Sequence, residues 1–147
     1  MIQRIQSIYL LISVILIGLL FALPFAEIAK EGAVFLFNFQ GVLLDGIVKQ
    51  SGITISILIV ILMALHIYAL ISYKKRLLQI SVIKYSMVVL LGLLGIFAFY
   101  TAYSYNGAQI SYEISMVFPL IAIVLDYLAI RGIRSDEALI RSIDRIR

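Results

Sequence analysis

His66 and Asp126 are the two ionisable residues that lie deepest within apolar stretches of the sequence. Histidine changes its charge nearest to neutral pH, and a carboxylate beside it could share a proton with it. Counted from Ser72 and Arg131, where their apolar stretches end, both side chains lie roughly 8–9 Å inside the boundary at about 1.5 Å per residue. Ionisable groups at this depth are costly and often functional, so a proton or cation site is one hypothesis.

A structural role for the same two residues is the hypothesis that we favour from the sequence. His66 would form a hydrogen bond across a helix interface, and Asp126 would lie close enough to the boundary to meet a basic side chain. The basic candidates are Lys84, Arg76 and Arg131. A conducting pathway would also need polar groups along the other half of these helices, and the sequence offers few.

Enzyme and metal chemistry are disfavoured by the residue types that the chain contains. Cysteine is absent and there is one histidine, which excludes a thiolate site and a three-histidine metal site within one chain. No G-x-S-x-G segment or glycine-rich phosphate loop is present. The basic residues flank apolar segments and do not form a patch on a soluble module, so nucleic acid is not an expected partner. We expect a noncatalytic protein with no cofactor.

The elements that must position His66 and Asp126 are membrane-spanning helices. The chain has 147 residues, of which 63% are hydrophobic and 14% charged, with a mean hydropathy of +1.11; ordinary soluble domains have about 25% charged residues. A span requires about 20 apolar residues. The sequence predicts one all-α domain, a bundle of four transmembrane helices at about 7–25, 53–72, 82–103 and 114–130. The first is expected to be a retained signal anchor.

The distribution of basic residues predicts the orientation of these spans. Ten of the twelve lysines and arginines fall on one side of the four spans, and only Lys30 and Lys49 fall on the other. Because cytoplasmic connections carry the excess of positive charge, both termini are predicted to be cytoplasmic. The cluster Lys74, Lys75 and Arg76 is also a candidate for contacts with anionic lipid headgroups, at about 1 kcal/mol per basic residue, although orientation alone would account for it.

The two loops on the other side, 26–52 and 104–113, are more apolar than ordinary linkers. Phe35, Phe37 and Phe39 would share one face of an extended chain. One or two short strands are predicted there, with turns at Gly41 or Asp45–Gly46, and the segment from Gln109 to Glu113 could pair with them. The result would be a small β cap on the bundle. The alternative is that the loop lies flat among the lipid headgroups.

The tail, 131–147, has the pattern of a short amphipathic helix on the cytoplasmic membrane surface. Ser135 could cap such a helix, and Asp136 and Glu137 would lie favourably in its first turn. Apolar residues follow at helical spacing, at Leu139, Ile140, Ile143 and Ile146.

The two end segments, Met1–Leu10 and Asp136–Arg147, resemble an uncharacterised family of small four-helix membrane proteins from Bacteroidota. The resemblance covers the whole chain in length and in the order of spans, and it implies a bacterial inner membrane protein without an assigned activity. The residues that match the end segments form a candidate cytoplasmic clasp between the termini, or a docking surface for a cytoplasmic partner: Gln3, Arg4, Gln6, Asp136, Glu137, Arg141, Ser142, Asp144 and Arg145.

The function predicted from these features is that of an integral membrane protein that scaffolds or modulates a membrane assembly. Its recognisable features are surfaces, and its partners would be the lipid bilayer and a membrane or cytoplasmic protein. The alternative is a small transporter or proton-linked carrier that uses His66 and Asp126. The sequence leaves the homo-oligomeric state open.

Overall fold

The computed structural model describes the backbone of residues 3–105 and 107–144, and the side chains of 5–105 and 107–138. Within this part of the chain there are four α-helices and five β-strands. The helices are α1 Gln3–Leu19, α2 Ile53–Ile71, α3 Arg76–Ala98 and α4 Phe118–Asp144. The strands are β1 Ala26–Lys30, β2 Ala33–Asn38, β3 Gly41–Leu44, β4 Ile47–Ser51 and β5 Gln109–Tyr112. A π-helix, Phe99–Ser104, continues α3, and short 3₁₀ helices, Ser72–Lys74 and Ile114–Val117, precede α3 and α4.

The five strands form one antiparallel sheet of order β4-β3-β2-β1-β5. Four of them come from the segment between α1 and α2, and β5, from the segment between α3 and α4, pairs with β1. Buried residues of the sheet, such as Ile28, Phe37 and Val42, belong to the same hydrophobic core as buried residues of all four helices. The prediction of an all-α bundle with at most a small β cap is therefore wrong. The sheet is part of the core.

Three two-residue turns connect the four strands of the first loop, and the first and third of them share one backbone geometry. Glu31–Gly32 and Asp45–Gly46 each separate two strands by two residues, and all four have positive φ. This geometry matches the right-handed twist of paired strands. The predicted turn at Asp45–Gly46 and the pairing of the Gln109–Tyr112 segment are confirmed. The sequence interpretation counted too few strands because Glu31–Gly32 is a weaker turn signal than Asp45–Gly46.

One face of the sheet packs against the helices through aromatic rings. The Phe37 ring centroid lies 5.8 Å from that of Phe97 and 5.1 Å from that of Tyr100. Phe35 and Phe39 point to the same side and contact Tyr105 and Phe21. The predicted common face of the three phenylalanines is confirmed, and the alternative of a loop lying flat among headgroups is wrong. We call this end of the molecule the sheet end.

Among the described residues, three helical segments are long and apolar enough to cross a membrane: 53–74, 76–104 and 114–138. The helix α1 is also apolar but has 17 residues. It ends at Leu19, where the first predicted span continued to Phe25, because the chain already turns towards β1. Around the bundle, large apolar side chains are exposed, including Ile57, Val60, Leu91 and Val124. Such a surface matches a hydrocarbon solvent and fits a membrane protein.

The predicted separate tail helix is replaced by an extension of α4. This helix runs without a break from Phe118 to Asp144, so Ser135 lies in its interior and does not cap a new helix. The connecting segment contains no proline, and Gly132 permits close packing. A Cβ atom at Gly132 would lie 2.9 Å from Cγ of Gln6, so its absence makes room for that side chain. The predicted apolar stripe beyond Ala138 lies outside the described side chains.

Candidate functional site

His66 and Asp126 contact each other in the interior of the bundle. The Nε2 atom of His66 lies 3.1 Å from Oδ1 and 3.2 Å from Oδ2 of Asp126. The other ring nitrogen, Nδ1, lies 2.9 Å from the carbonyl oxygen of Leu62, one turn earlier in α2. The exposed fractions are 1% for His66 and 0% for Asp126. The structure thus brings together the two ionisable residues that lie deepest within the apolar stretches of the sequence.

Two serines from the remaining helices complete this site. The Ser86 hydroxyl on α3 lies 2.9 Å from Oδ2 of Asp126 and 2.7 Å from the carbonyl oxygen of Ile83. The Ser13 hydroxyl on α1 lies 3.5 Å from Oδ1 of Asp126, at the outer limit of a hydrogen bond. Both serines are buried. We call Ser13, His66, Ser86 and Asp126 the polar cluster; each helix contributes one member.

The helices place these four side chains together because each buries a stripe with alternating spacings of four and three residues. On α2 the stripe is Ile55, Ile59, Leu62, His66 and Ala69. On α4 it includes Ala122, Asp126, Ala129 and Ile133. Ser13 and Ser86 hold equivalent positions on α1 and α3. This spacing is typical of helices that pack at a small crossing angle, and the polar cluster lies on the shared seam.

The partners of Asp126 differ from those that the structural hypothesis predicted. Its carboxylate contacts an imidazole and two hydroxyls, whereas Lys84 lies on the exposed side of α3. Among the described residues, neither Lys84 nor Arg76 nor Arg131 forms an ion pair with it. The reason is burial, because Asp126 is fully buried whereas Lys84 and Arg131 are exposed and Arg76 is half-buried. The predicted hydrogen bond of His66 across a helix interface is present.

This arrangement can hold protons and tie helices together. In a nucleophilic triad, the imidazole contacts the hydroxyl that it activates. Here the imidazole contacts the carboxylate, and the serine hydroxyls contact that same carboxylate. Within the part of the chain that the structure describes, every buried side-chain nitrogen and oxygen has a hydrogen-bond partner. No group of three or more metal-ligating side chains occurs among these described residues.

A second polar contact joins α1 to α4 near the end opposite the sheet. The Gln6 side-chain amide donates to Oδ2 of Asp136 over 2.6 Å, and both side chains are buried. This contact connects two members of the predicted clasp. Glu137 is half-buried. The side chains of Gln3, Arg4, Arg141, Ser142, Asp144 and Arg145 lie outside the described side chains, so their part in a clasp or docking surface stays a prediction.

The predicted lipid-contact residues lie in the connection between α2 and α3, at the end opposite the sheet. Lys74 and Lys75 are exposed, and Arg76 begins α3 half-buried. The Lys74 ammonium lies 5.8 Å from the centre of the Tyr73 ring. The exposure of Lys74 and Lys75 leaves these two cations available to headgroups, and lipid binding by the cluster stays a prediction.

Sequence reasoning missed several polar residues of the interior, three of them on the helices of the bundle. Ser13 and Ser86 belong to the polar cluster, and the Gln79 amide donates to the carbonyl oxygen of Ala69 over 3.0 Å. Serine is common in membrane helices, so neither serine stood out alone. Their positions could have identified them, because both serines lie on stripes of mostly apolar residues with alternating spacings of four and three.

Comparison with known proteins places the chain in a family. The family model described as "Domain of unknown function (DUF4293)" matches residues 2–146. The chain belongs to this family. The match extends over nearly the whole chain, so all four helices and the sheet are part of the DUF4293 domain. No curated protein and no solved structure matches the chain. The family description assigns no activity, so a function must be argued from the polar cluster and the surfaces of this DUF4293 protein.

Proposed function

We propose that this DUF4293 protein is a noncatalytic integral protein of the bacterial inner membrane. It scaffolds or modulates a membrane assembly by presenting the sheet to a partner protein outside the cytoplasm. The observation that carries this proposal is an apolar row on the face of the sheet that is turned away from the helices. The partner's expected chemistry follows from that row and is an apolar, water-facing protein surface.

The apolar row follows from the strand register. Leu36 of β2 pairs with Leu43 of β3, which pairs with Val48 of β4 just after a β-bulge-like register shift between Val42 and Leu43. Directly paired residues of antiparallel strands project from the same face. Val34, two residues before Leu36, lies on that face too. Val34 is 59% exposed and Val48 46%. Phe35 and Phe37 alternate with these residues and pack on the helices, so we call Val34, Leu36, Leu43 and Val48 the outward apolar row.

The distribution of basic residues supports a location of this row outside the cytoplasm. The connection between α2 and α3, with its three consecutive basic residues, lies opposite the sheet, whereas only Lys30 and Lys49 lie among the strands. The excess of lysine and arginine favours the cytoplasm for the basic end. The sheet then faces outwards, and both termini lie in the cytoplasm.

Hydrogen bonds between the sheet and the helices support a preformed binding surface. The Tyr100 hydroxyl donates to the carbonyl oxygen of Ser51 over 2.9 Å, and the Ser56 hydroxyl donates to that of Phe39 over 2.7 Å. These bonds connect the sheet to the π-helix and to α2. A surface that is ordered before binding loses less conformational entropy when a partner binds.

Site-specific photo-crosslinking in native membranes tests this proposal. A photoreactive amino acid at Val34 or at Val48 should capture the same protein, since both positions lie on the outward apolar row. The control position is Val60, an exposed residue of α2 in the apolar belt. Leu36→Lys should abolish the capture and Leu36→Met should retain it. Adducts with lipid alone at Val34 and Val48, or equal capture of the same protein at Val60, would refute the proposal.

A proton-linked carrier is the second candidate, and the buried contact between His66 and Asp126 favours it. Ionisable pairs within membrane spans are recurrent components of proton pathways. His66→Ala and Asp126→Asn should abolish proton-coupled uptake by a carrier, whereas they should leave capture at the outward apolar row unchanged in a scaffold. Loss of both activities through unfolding is recognised by loss of the protein from the membrane.

A further inference from the structure

We propose that the polar cluster is a proton-binding site that holds one proton between Nε2 of His66 and the carboxyl group of Asp126. The ligand is the proton itself. The contact of Nδ1 with the helix backbone fixes the position of this proton. The inference rests on donors and acceptors alone, and it holds whether the protein is a scaffold or a carrier.

Nδ1 of His66 acts as a hydrogen-bond donor. This atom lies 2.9 Å from the carbonyl oxygen of Leu62. A backbone carbonyl oxygen only accepts hydrogen bonds, so Nδ1 must carry a hydrogen and donate it. A neutral imidazole has one N–H group, and this contact uses it.

Nε2 of His66 faces the carboxyl group of Asp126. With the single hydrogen on Nδ1, a neutral ring would direct the lone pair of Nε2 towards the oxygens of Asp126, 3.1 and 3.2 Å away. An ionised carboxylate also only accepts. Two acceptors at this distance would repel each other, so the contact requires one more proton. That proton lies on Nε2, which gives an imidazolium–carboxylate pair, or on the carboxyl group, which then donates to Nε2. Both forms are electrically neutral as a pair.

Uncharged polar groups of α1 and α3 contact the pair of His66 and Asp126. The groups that contact it from α1 and α3 are the hydroxyls of Ser13 and Ser86, which carry no charge. If the proton left, Asp126 would keep a net negative charge in the apolar interior without a cation beside it. Such a charge is costly in a low-dielectric environment. The Ser86 hydroxyl has one hydrogen, which it can donate either to the carbonyl oxygen of Ile83 or to the carboxylate, so it is compatible with both positions of the proton. The folded bundle therefore retains the proton.

Nitrogen NMR of the full-length protein in nanodiscs tests this inference. His66 is the only histidine in the chain, so ¹⁵N-histidine labelling gives the spectrum of this one ring without further assignment. If the shared proton lies on Nε2, both ring nitrogens are protonated at pH 7. Infrared spectroscopy detects the alternative, in which Nδ1 alone is protonated and Asp126 shows a carboxylic acid band. Asp126→Asn should remove such a band, and Asp136→Asn is the matched control that should leave it.

Each outcome decides the question. A doubly protonated ring, or a ring protonated at Nδ1 together with the Asp126 acid band, supports the bound proton. A ring with one protonated nitrogen and no acid band at pH 7 would overturn it. A ring protonated only at Nε2 would also refute the geometric basis, since Nδ1 would then face Leu62 without a hydrogen. The wild-type nitrogen spectrum alone identifies a doubly protonated ring, and Asp126→Asn is needed only to assign an acid band to Asp126.

Discussion

A single buried carboxylate, that of Asp126, receives contacts from three other helices. Polar side chains at seam positions of packed helices select one register, because any other register would leave them unpaired. The polar cluster is therefore expected to fix how α1 to α4 align. In a membrane, where apolar contacts to lipid compete with apolar contacts between helices, such hydrogen bonds contribute specificity that packing alone does not.

Ser86→Ala tests the contribution of one hydroxyl to this alignment. It removes a donor to the carboxylate of Asp126, and we expect the free energy of unfolding to fall by about 1 kcal/mol. Ser81→Ala is the matched control on the same helix, because Ser81 is exposed and its hydroxyl donates to the carbonyl oxygen of Leu77 within α3. Its effect should stay within about 0.5 kcal/mol. Reversible unfolding in mixed micelles measures both; equal losses would contradict the proposed role of Ser86.

At the scale of residues, the sequence predicted how deep His66 and Asp126 lie within the apolar helices. It did not establish that the two side chains contact each other. His66 and Asp126 stood out because charged types are rare in apolar stretches. Sixty residues separate them, however, and the sequence alone does not show which helices are neighbours. The partners of Asp126 were predicted among nearby basic residues, whereas the seam of α4 directs its side chain inwards, towards hydroxyls and the imidazole.

At the scale of elements, the sequence signals for turns and strands differ in strength. Asp45–Gly46 and the alternation around Phe37 predicted strands correctly. The full sheet was not predicted, since its formation depends on a close approach between the backbones of two strands. At Gly41, φ is +120°, and a Cβ atom there would lie 2.0 Å from the carbonyl oxygen of Gln50. Only glycine fits such a position, but a lone glycine in a sequence does not reveal it.

The contact between α1 and α4 is the feature that connects the two ends of the chain. We expect Gln6→Ala and Asp136→Ala each to destabilise the protein and the double variant to lose less than the sum. The reason is that both single changes remove the same buried hydrogen bond. The expected coupling is about 1 kcal/mol in a double-mutant cycle. Gln6→Ala combined with Ser81→Ala is the control cycle and should be additive. Additivity of the Gln6 and Asp136 changes would leave the clasp without energetic support.

At the scale of the whole molecule, the surface divides into three zones: the sheet end, an apolar belt around the helices and a basic end. The sequence predicted the belt and the basic end from composition and charge, because these properties do not depend on which elements are neighbours. The continuity of α4 and the inclusion of the sheet in the core were missed, since both depend on packing. Together, the zones support a protein that crosses the membrane and displays its sheet on the outer side.

Cysteine accessibility in intact cells tests that claim most directly. The chain contains no cysteine, so a single introduced thiol reports its own location. Gln109→Cys places one on β5, and Tyr73→Cys places one between α2 and α3; both positions are exposed, and neither change alters a charge. A maleimide that crosses the outer but not the inner membrane should label Gln109→Cys in intact cells and Tyr73→Cys only after lysis. Labelling of Tyr73→Cys but not Gln109→Cys in intact cells would contradict the proposed orientation, and with it the display of the sheet outside the cytoplasm.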